Sequence, residues 1–342
     1  MFFGEQIYDE QQVPIGLIQT AWGGTIVEAW SPPEVMEECG VEDEGTNDSN
    51  NHNNYLWNAM IHPLLRMSIK GAIWYQGEAN TGHNREIYDC TFPSMINHWR
   101  QAWHEGTGGD TEQQFPFGFV QLAPNRDTVS PHWPVLRWKQ TGSAGYVPNT
   151  LMENVFMAVA MDDDIDLHPK NKRLPATRLA WAASNLVYGN QYHPLQGPQV
   201  VRVDEESPEG RDVVTGINVT FSATLRTPAL EDDRFMVCCM ERMDLCDEKN
   251  YGQEQGWQGI KMVGWVGGQG NYYYYFLSLT LRSSPGHTTI VLDPNEACSG
   301  SGHFSGLAYL WREVPCSGEE ACPLYSDDQF NMPVAPFKYN FV

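Results

Sequence analysis

The apolar positions fall into two textures along the chain. Up to about residue 190, compact apolar runs alternate with stretches of helical period. The runs Pro14–Gln19, Lys70–Tyr75, Phe115–Gln121 and Asn154–Met161 are short and nearly continuous, as suits strands covered on both faces. In Ala176–Tyr188, residues Leu179, Ala182, Ala183, Leu186 and Val187 follow the i, i+3, i+4, i+7, i+8 pattern of a buried helix stripe. Pro175 opens that stretch and Gly189 closes it, the asymmetry expected of a helix. A second helix is predicted over Tyr88–Trp103, with Met95, Trp99 and Trp103 at four-residue steps. A third covers Tyr55–Met67, bent or started by Pro63, and a short one covers Pro134–Gln140. Strands alternating with helices predict an α/β fold around a parallel sheet.

From about residue 195 the pattern shortens to alternation. Gln199–Val203, Gly216–Ser222, Tyr272–Leu281, Thr288–Leu292 and Gly306–Arg312 read as strands separated by turn residues. The junction, Gln191–Pro198, holds two prolines and a glycine. The chain therefore divides into an α/β domain over 1–190 and a β-rich domain over 195–342.

Composition narrows the function classes. With 342 residues, the chain is long enough for two domains. Hydrophobic residues at 41% and charged residues at 19% exclude wholesale disorder. No run approaches the ~18 apolar residues of a transmembrane helix. Acids outnumber bases 43 to 21, and the net charge of −22 repels nucleic acid and anionic membranes. Eight cysteines occur without a CxxC or a zinc-knuckle spacing. An even count, mostly in the last third, favours disulfides in a secreted or lumenal protein, with the pairing left open; free buried cysteines are the alternative. Sequons at Asn47 and Asn218 agree with an oxidising compartment. The opening MFFGEQIYDE conflicts with it, because it has no basic start, long apolar middle or small-residue cleavage site.

Three segments just beyond candidate strands can carry chemistry, since open α/β sheets bind ligands past their carboxyl ends. In Trp22-Gly23-Gly24-Thr25, two glycines let backbone N–H groups approach a ligand oxygen, or simply make a tight turn. In Gln76-Gly77-Glu78-Ala79-Asn80, either Gln76 or Asn80 can donate to a developing oxyanion, and Glu78 can hold a neighbouring group. In Asp162-Asp163-Asp164-Ile165-Asp166-Leu167-His168-Pro169, the proline keeps His168 on extended backbone and a carboxylate can orient the imidazole. The acidic run is otherwise a solvated loop; it has neither the glycine nor the register of a calcium loop. No metal or cofactor is called for. Oxyanion donors, a base and an orienting acid point to acyl transfer, yet no G-x-S-x-G presents a nucleophile. Ser143, Ser301 and Ser305 are weak substitutes.

The runs PIGLIQTAWGGTIVEAW (from Pro14), LWNAMIHPL (from Leu56), GAIWYQGEAN (from Gly71), FPFGFVQL (from Phe115), GYVPN (from Gly145), FMAVAMD (from Phe156) and HPKNK (from His168) closely resemble the sialate O-acetylesterase family, as do Cys238-Cys239 and CPLY at Cys322–Tyr325. The resemblance spans essentially the whole chain. It implies an SGNH-type, flavodoxin-like three-layer sandwich followed by a β-rich domain. It also implies metal-free serine-esterase removal of acetyl groups from the 4- and 9-hydroxyls of sialic acids or sialoglycans, in lysosomal or secreted glycoproteins. In that family the serine sits in a GQSN block upstream of the PIGL strand. MFFGEQIYDE resembles the helix just before that strand, so the sequence reads as truncated at its N-terminus, lacking first strands, export signal and nucleophile, and inactive alone. A non-catalytic carbohydrate-binding or interaction protein is the rival expectation. Carried over, Gly24 is the oxyanion glycine, Gln76, Glu78 and Asn80 form the third block, and His168 is the general base. The family's Asp-x-x-His spacing falls on Ile165, so Asp166 is the expected acid, Asp162 its rival, and a serine–histidine dyad a further possibility.

Overall fold

The computed structural model describes residues 1–42, 51–125, 132–206, 216–227, 235–238, 257–262, 276–277, 280–284, 286–292, 306–311, 314–316, 318 and 320–341. Helices α1 (Phe2–Gln11), α2 (Val27–Trp30), α3 (Pro33–Glu38), α4 (Tyr88–Gly106), α5 (His132–Lys139) and α6 (Arg173–Leu186) accompany three parallel strands, β1 (Ala72–Trp74), β2 (Phe117–Gln121) and β3 (Val155–Val159), in the order β1-β2-β3. Parallel neighbours need crossovers, which α4 and α5 supply.

Every residue of β2 and β3 is buried, which explains their unbroken apolar sequence. Alternate side chains serve opposite faces. Phe117 and Phe119 meet Phe92 of α4 at ring separations of 6.0 and 5.4 Å, and Trp99 meets Phe117 at 6.2 Å. On the other face Val120, Phe156 and Ala158 pack with Leu179, Ala180, Ala182 and Ala183 of α6 and with Ile7 of α1. This is the expected helix–sheet–helix sandwich. The stripe at 179, 182 and 183 is the face of α6 that the sheet covers. The opening residues form α1, which packs on α6 and is tied to it by Gln6 Nε2 donating to Thr177 Oγ1 at 2.6 Å.

Two expected elements differ. Pro14–Gln19 forms no strand, with Leu17 57% and Ile18 50% exposed. A strand exists only through a neighbour's backbone. Among the described residues none pairs with this segment or with the outer edge of β1, where Ile73 stands 48% exposed. Tyr55–Met67 forms no regular α-helix: a π-helical turn at Trp57–Ile61 passes into a 3₁₀ turn at His62–Leu64, where Pro63 has no N–H to continue the ladder.

The described residues divide into two units, one up to Gln196 and one from Gly197 onward, with His132–Pro134 grouped with the second. The second unit is β-rich. It contains β4 (Val200–Glu206), β5 (Gly216–Phe221), β6 (Leu225–Arg226), β7 (Phe235–Cys238), β8 (Trp257–Met262), β9 (Phe276–Leu277), β10 (Thr280–Ser284), β11 (His287–Leu292), β12 (Gly306–Tyr309), β13 (Tyr325–Ser326) and β14 (Phe337–Asn340). These form sheets ordered β10-β11-β5-β4, β14-β12-β7-β8-β9 and β13-β6. Of the expected strand Tyr272–Leu281, residues 272–275, 278 and 279 lie outside the described residues, as do Ser301 and Ser305.

Disulfides join Cys39 to Cys90 and Cys316 to Cys322. Cys239, Cys246 and Cys298 lie outside the described residues, as does the sequon at Asn47. Asn218 sits on β5, half-buried, its Nδ2 donating to Glu206 Oε1 at 2.8 Å. Among the described residues no helix is long and apolar enough to cross a membrane.

Candidate active site

The three candidate loops gather beyond the carboxyl ends of β1 and β3. The Gly-rich loop reverses at Gly24, whose φ of +76° suits a residue without a side chain, and a Cβ built there meets nothing within 4 Å. That side of the loop is open to a ligand. Asn51 pins the turn by donating to Gly24 O at 3.1 Å and accepting from Ile26 N at 2.8 Å. Among the described residues, Gly24 N–H has no internal acceptor.

The loop after β1 turns at Gly77, with φ +145°. A Cβ at Gly77 would press on Leu136 at 3.0 Å and Leu122 at 3.3 Å, so a larger residue would force this loop away from α5 and β2. Gln140 Nε2 donates to Gln76 O at 3.2 Å and fixes the same approach.

Both carboxamides of this loop are committed inward. Gln76 Nε2 donates to Thr25 O at 2.9 Å and to Asn80 Oδ1 at 2.7 Å, and its Oε1 accepts from Tyr88 Oη at 3.0 Å. Asn80 is fully buried; its Nδ2 donates to Glu28 Oε2 at 2.9 Å and His83 O at 3.1 Å, and its Oδ1 also accepts from Val27 N at 2.9 Å. An amide nitrogen has two hydrogens, and all four hydrogens here are used. Gln76 and Asn80 therefore lock the Gly24 loop to the Glu78 loop instead of pointing an N–H outward. Glu28 completes this lock from α2. It is fully buried, burial raises its pKa, the Asn80 amide opposes that rise, and its Oε1 has no hydrogen-bond partner. Glu28 and Tyr88 were not among the expected site residues. The only sequence signal for Glu28 is its place three residues past Thr25, at the end of the glycine turn.

The third loop carries the histidine. His168 is exposed, and its backbone N–H donates to Asp166 Oδ1 at 2.9 Å, so Asp166 caps the turn beneath the imidazole. Asp162 is buried and grips Arg178 of α6 with both oxygens, at 2.6 and 2.8 Å. It anchors the start of the loop. Asp164 Oδ2 accepts from Lys170 N at 3.2 Å. The carboxyl that senses His168 comes from the neighbouring loop: Glu78, half-buried at the surface, is raised in pKa by desolvation and pulled back by the charges of Lys172 and His168. Asp163 Oδ1 accepts from Asp164 N at 2.8 Å, while Oδ2 is buried without a partner. Its pKa is pushed up to about 6, first by desolvation and then by Asp164 and Asp162.

Ser143 stands elsewhere in the fold, donating to Asp89 Oδ2 at 2.6 Å, an oxygen that also accepts from Lys139 Nζ at 3.0 Å. A cleft of about 370 Å³ lined by Arg100, Gln101, His104, Gln114 and Glu153 opens at the opposite, amino end of β2 and β3. Among the described residues no cluster of His, Cys, Asp or Glu could hold a metal ion.

Residues 1–182 match the model of a carbohydrate esterase, sialic acid-specific acetylesterase. The chain belongs to this esterase family. Residues 274–341 match a sialate O-acetylesterase C-terminal domain. Among relatives, the chain is 36% identical to the sialate O-acetylesterase of Homo sapiens over 348 residues, and 32% identical to that of Mus musculus over 374 residues. Each alignment takes in 98% of this chain but only 59% and 62% of those relatives, so the chain spans about three-fifths of their length. A carbohydrate acetylesterase from Xanthomonas citri shares the fold, with a TM-score of 0.69 at 23% identity over 100% of this chain and 64% of its own. For a member of the esterase family, the site is assembled from loops that side-chain amides hold together, with an exposed histidine on the outermost loop.

Proposed function

We propose that the site belongs to a serine esterase that hydrolyses 9-O- and 4-O-acetyl groups of sialic acids, free or in sialoglycans. The observation that carries this reading is the convergence of an open glycine turn, the Glu78 loop and the exposed His168 in a member of the sialic acid-specific esterase family. The α/β part, residues 1–190, is the hydrolase domain in this reading, and 195–342 is the appended β-rich domain.

The chemistry follows from the side chains. A serine hydroxyl attacks the acetyl carbonyl carbon while His168 takes its proton. The carbonyl oxygen becomes an oxyanion, and Gly24 N–H, which has no internal acceptor among the described residues, donates to it. His168 then protonates the leaving sugar oxygen. Water, activated by the same imidazole, releases acetate from the acetyl-enzyme. Gln76 and Asn80 hold the Gly24 turn in place and act as positioning residues. Glu78 is the carboxyl whose charge is coupled to His168, Asp166 fixes the backbone of the histidine turn, and Asp162 anchors it to α6.

Among the described residues no serine hydroxyl bonds to His168. The two disulfides favour work in a lysosomal or secreted setting.

Acetate release from a 9-O-acetylated sialoside tests the reading. The 342-residue chain is compared with the same chain supplied with the GQSN-bearing segment of a full-length relative. The expected result is release by the supplied form that His168→Ala abolishes, and no release by that form would overturn the reading. Comparable release by both would overturn the assignment of the nucleophile. Binding without turnover in both forms would favour a carbohydrate-binding module.

A further inference from the structure

The outermost loop concentrates positive charge where the rest of the molecule has little. Bases are outnumbered by two to one overall, yet three of the four residues 170–173 are basic: Lys170, Lys172 and Arg173. They sit at the amino end of α6, a 14-residue helix with no acidic residue in its first turn. The helix dipole favours acids at that end, so this placement works against local stability. Such a placement calls for another source of negative charge.

The three cations are not equivalent. The Arg173 guanidinium lies over the Phe2 ring at 4.4 Å and faces α1. Lys170 is exposed on the loop. Lys172 turns toward the site: its Nζ lies over the Tyr75 ring at 4.9 Å, and its charge acts on both Glu78 and Asp163. Among the described residues no carboxylate forms an ion pair with Lys172. The acids that face it are Glu78 and Asp163, whose pKa values burial raises and the Lys172 charge lowers, and neither closes an ion pair with it. Tyr75 Oη is also buried without a hydrogen-bond partner. An ammonium held on an aromatic face, beside the loop of the catalytic histidine, is poised to receive an anion from solvent.

We propose that Lys172 is the specificity-determining cation of this site, receiving the carboxylate of an acidic acetylated sugar and so selecting acidic over neutral substrates. The proposal rests on the reading of the site as a sialic acid esterase. The acetyl group would be placed at Gly24 and His168 while the carboxylate, borne elsewhere on the same sugar, meets Lys172. A neutral acetylated sugar would lose that contact and keep the rest.

Calorimetric binding to the 342-residue chain tests this without requiring turnover. The probes are the methyl glycoside of 9-acetamido-9-deoxy sialic acid, whose amide resists hydrolysis, and its C1 methyl ester, which lacks the charge. The acid is expected to bind ~5- to 10-fold more tightly than the ester, a preference that shrinks with added salt. Lys172→Met is expected to remove the preference while leaving ester affinity unchanged, and Lys172→Arg to restore most of it. A loss of packing alone would weaken both probes together. Equal binding of the two probes by the unaltered chain, or an acid preference that survives Lys172→Met, would overturn the role of Lys172 and leave the esterase reading standing. Binding of neither probe would overturn the reading of the site itself.

Discussion

At the scale of single residues, the buried carboxyls define how the site is built. Asp163 has a pKa pushed up to about 6, so between the ordinary carboxylate value and 6 the folded chain holds a proton that the unfolded chain has lost. Stability is therefore greater below that window and is lost as pH rises through about 6. Asp163→Asn removes the titration. It is expected to stabilise the chain by ~1–3 kcal/mol at pH 7 and by much less at pH 4, read from denaturation midpoints at the two values. An unchanged pH slope would contradict the burial argument. Asp162 has the opposite character. Its two-oxygen grip on buried Arg178 makes Asp162→Asn a loss of ~3–5 kcal/mol, because an unpaired guanidinium is left inside; urea unfolding measures it. Neither distinction was legible in the run of four aspartates. Sequence places acids near a histidine, but only burial and partners tell an anchor from a cap. Glu28 and Lys172 escaped for the same reason: a charged residue carries no sign in sequence that folding will bury it or lay it on a ring.

At the scale of elements, the chain was most legible where the element satisfies its own hydrogen bonds or is covered on both faces. The stripe of α6 and the buried runs of β2 and β3 declare themselves because packing on two sides demands apolar residues throughout. Pro14–Gln19 has the same texture, but a strand also needs a partner. Without one, Ile18 is half exposed and Leu17, more than half exposed, touches the Gly4 side of α1. Leu17→Ser and Ile18→Ser in the 342-residue chain are expected to shift stability by under ~0.5 kcal/mol, which thermal unfolding resolves; losses of ~2 kcal/mol would show that the segment is packed. The Cys39–Cys90 bond ties the end of α3 to the first turn of α4 across 51 residues, and α4 carries the aromatic layer under the sheet. Replacing both cysteines with serine is expected to cost ~2–4 kcal/mol by the same measurement.

At the scale of the whole molecule, the net charge of −22 and the cationic segment at 170–173 belong together. A net negative charge disfavours anionic ligands, and a local cluster of bases is what would offset it for the acidic sugar proposed above. The α/β class and the β-rich second half were readable along the sequence, and so were the three candidate loops as positions along the chain. The lock between loops was not, since it joins Thr25, Val27 and Glu28 to Gln76 and Asn80 across some fifty residues. The amides of Gln76 and Asn80, expected as donors to a ligand, spend their hydrogens on Thr25, Asn80, Glu28 and His83.

The central proposal is that His168 is the general base of a serine esterase site. It is tested by acetate release from a 9-O-acetylated sialoside, using the chain supplied with a serine-bearing segment, before and after His168→Ala. A fall of ~10³-fold or more, with binding of the amide analogue retained, is the predicted result. Turnover within about tenfold of the unaltered form would contradict it.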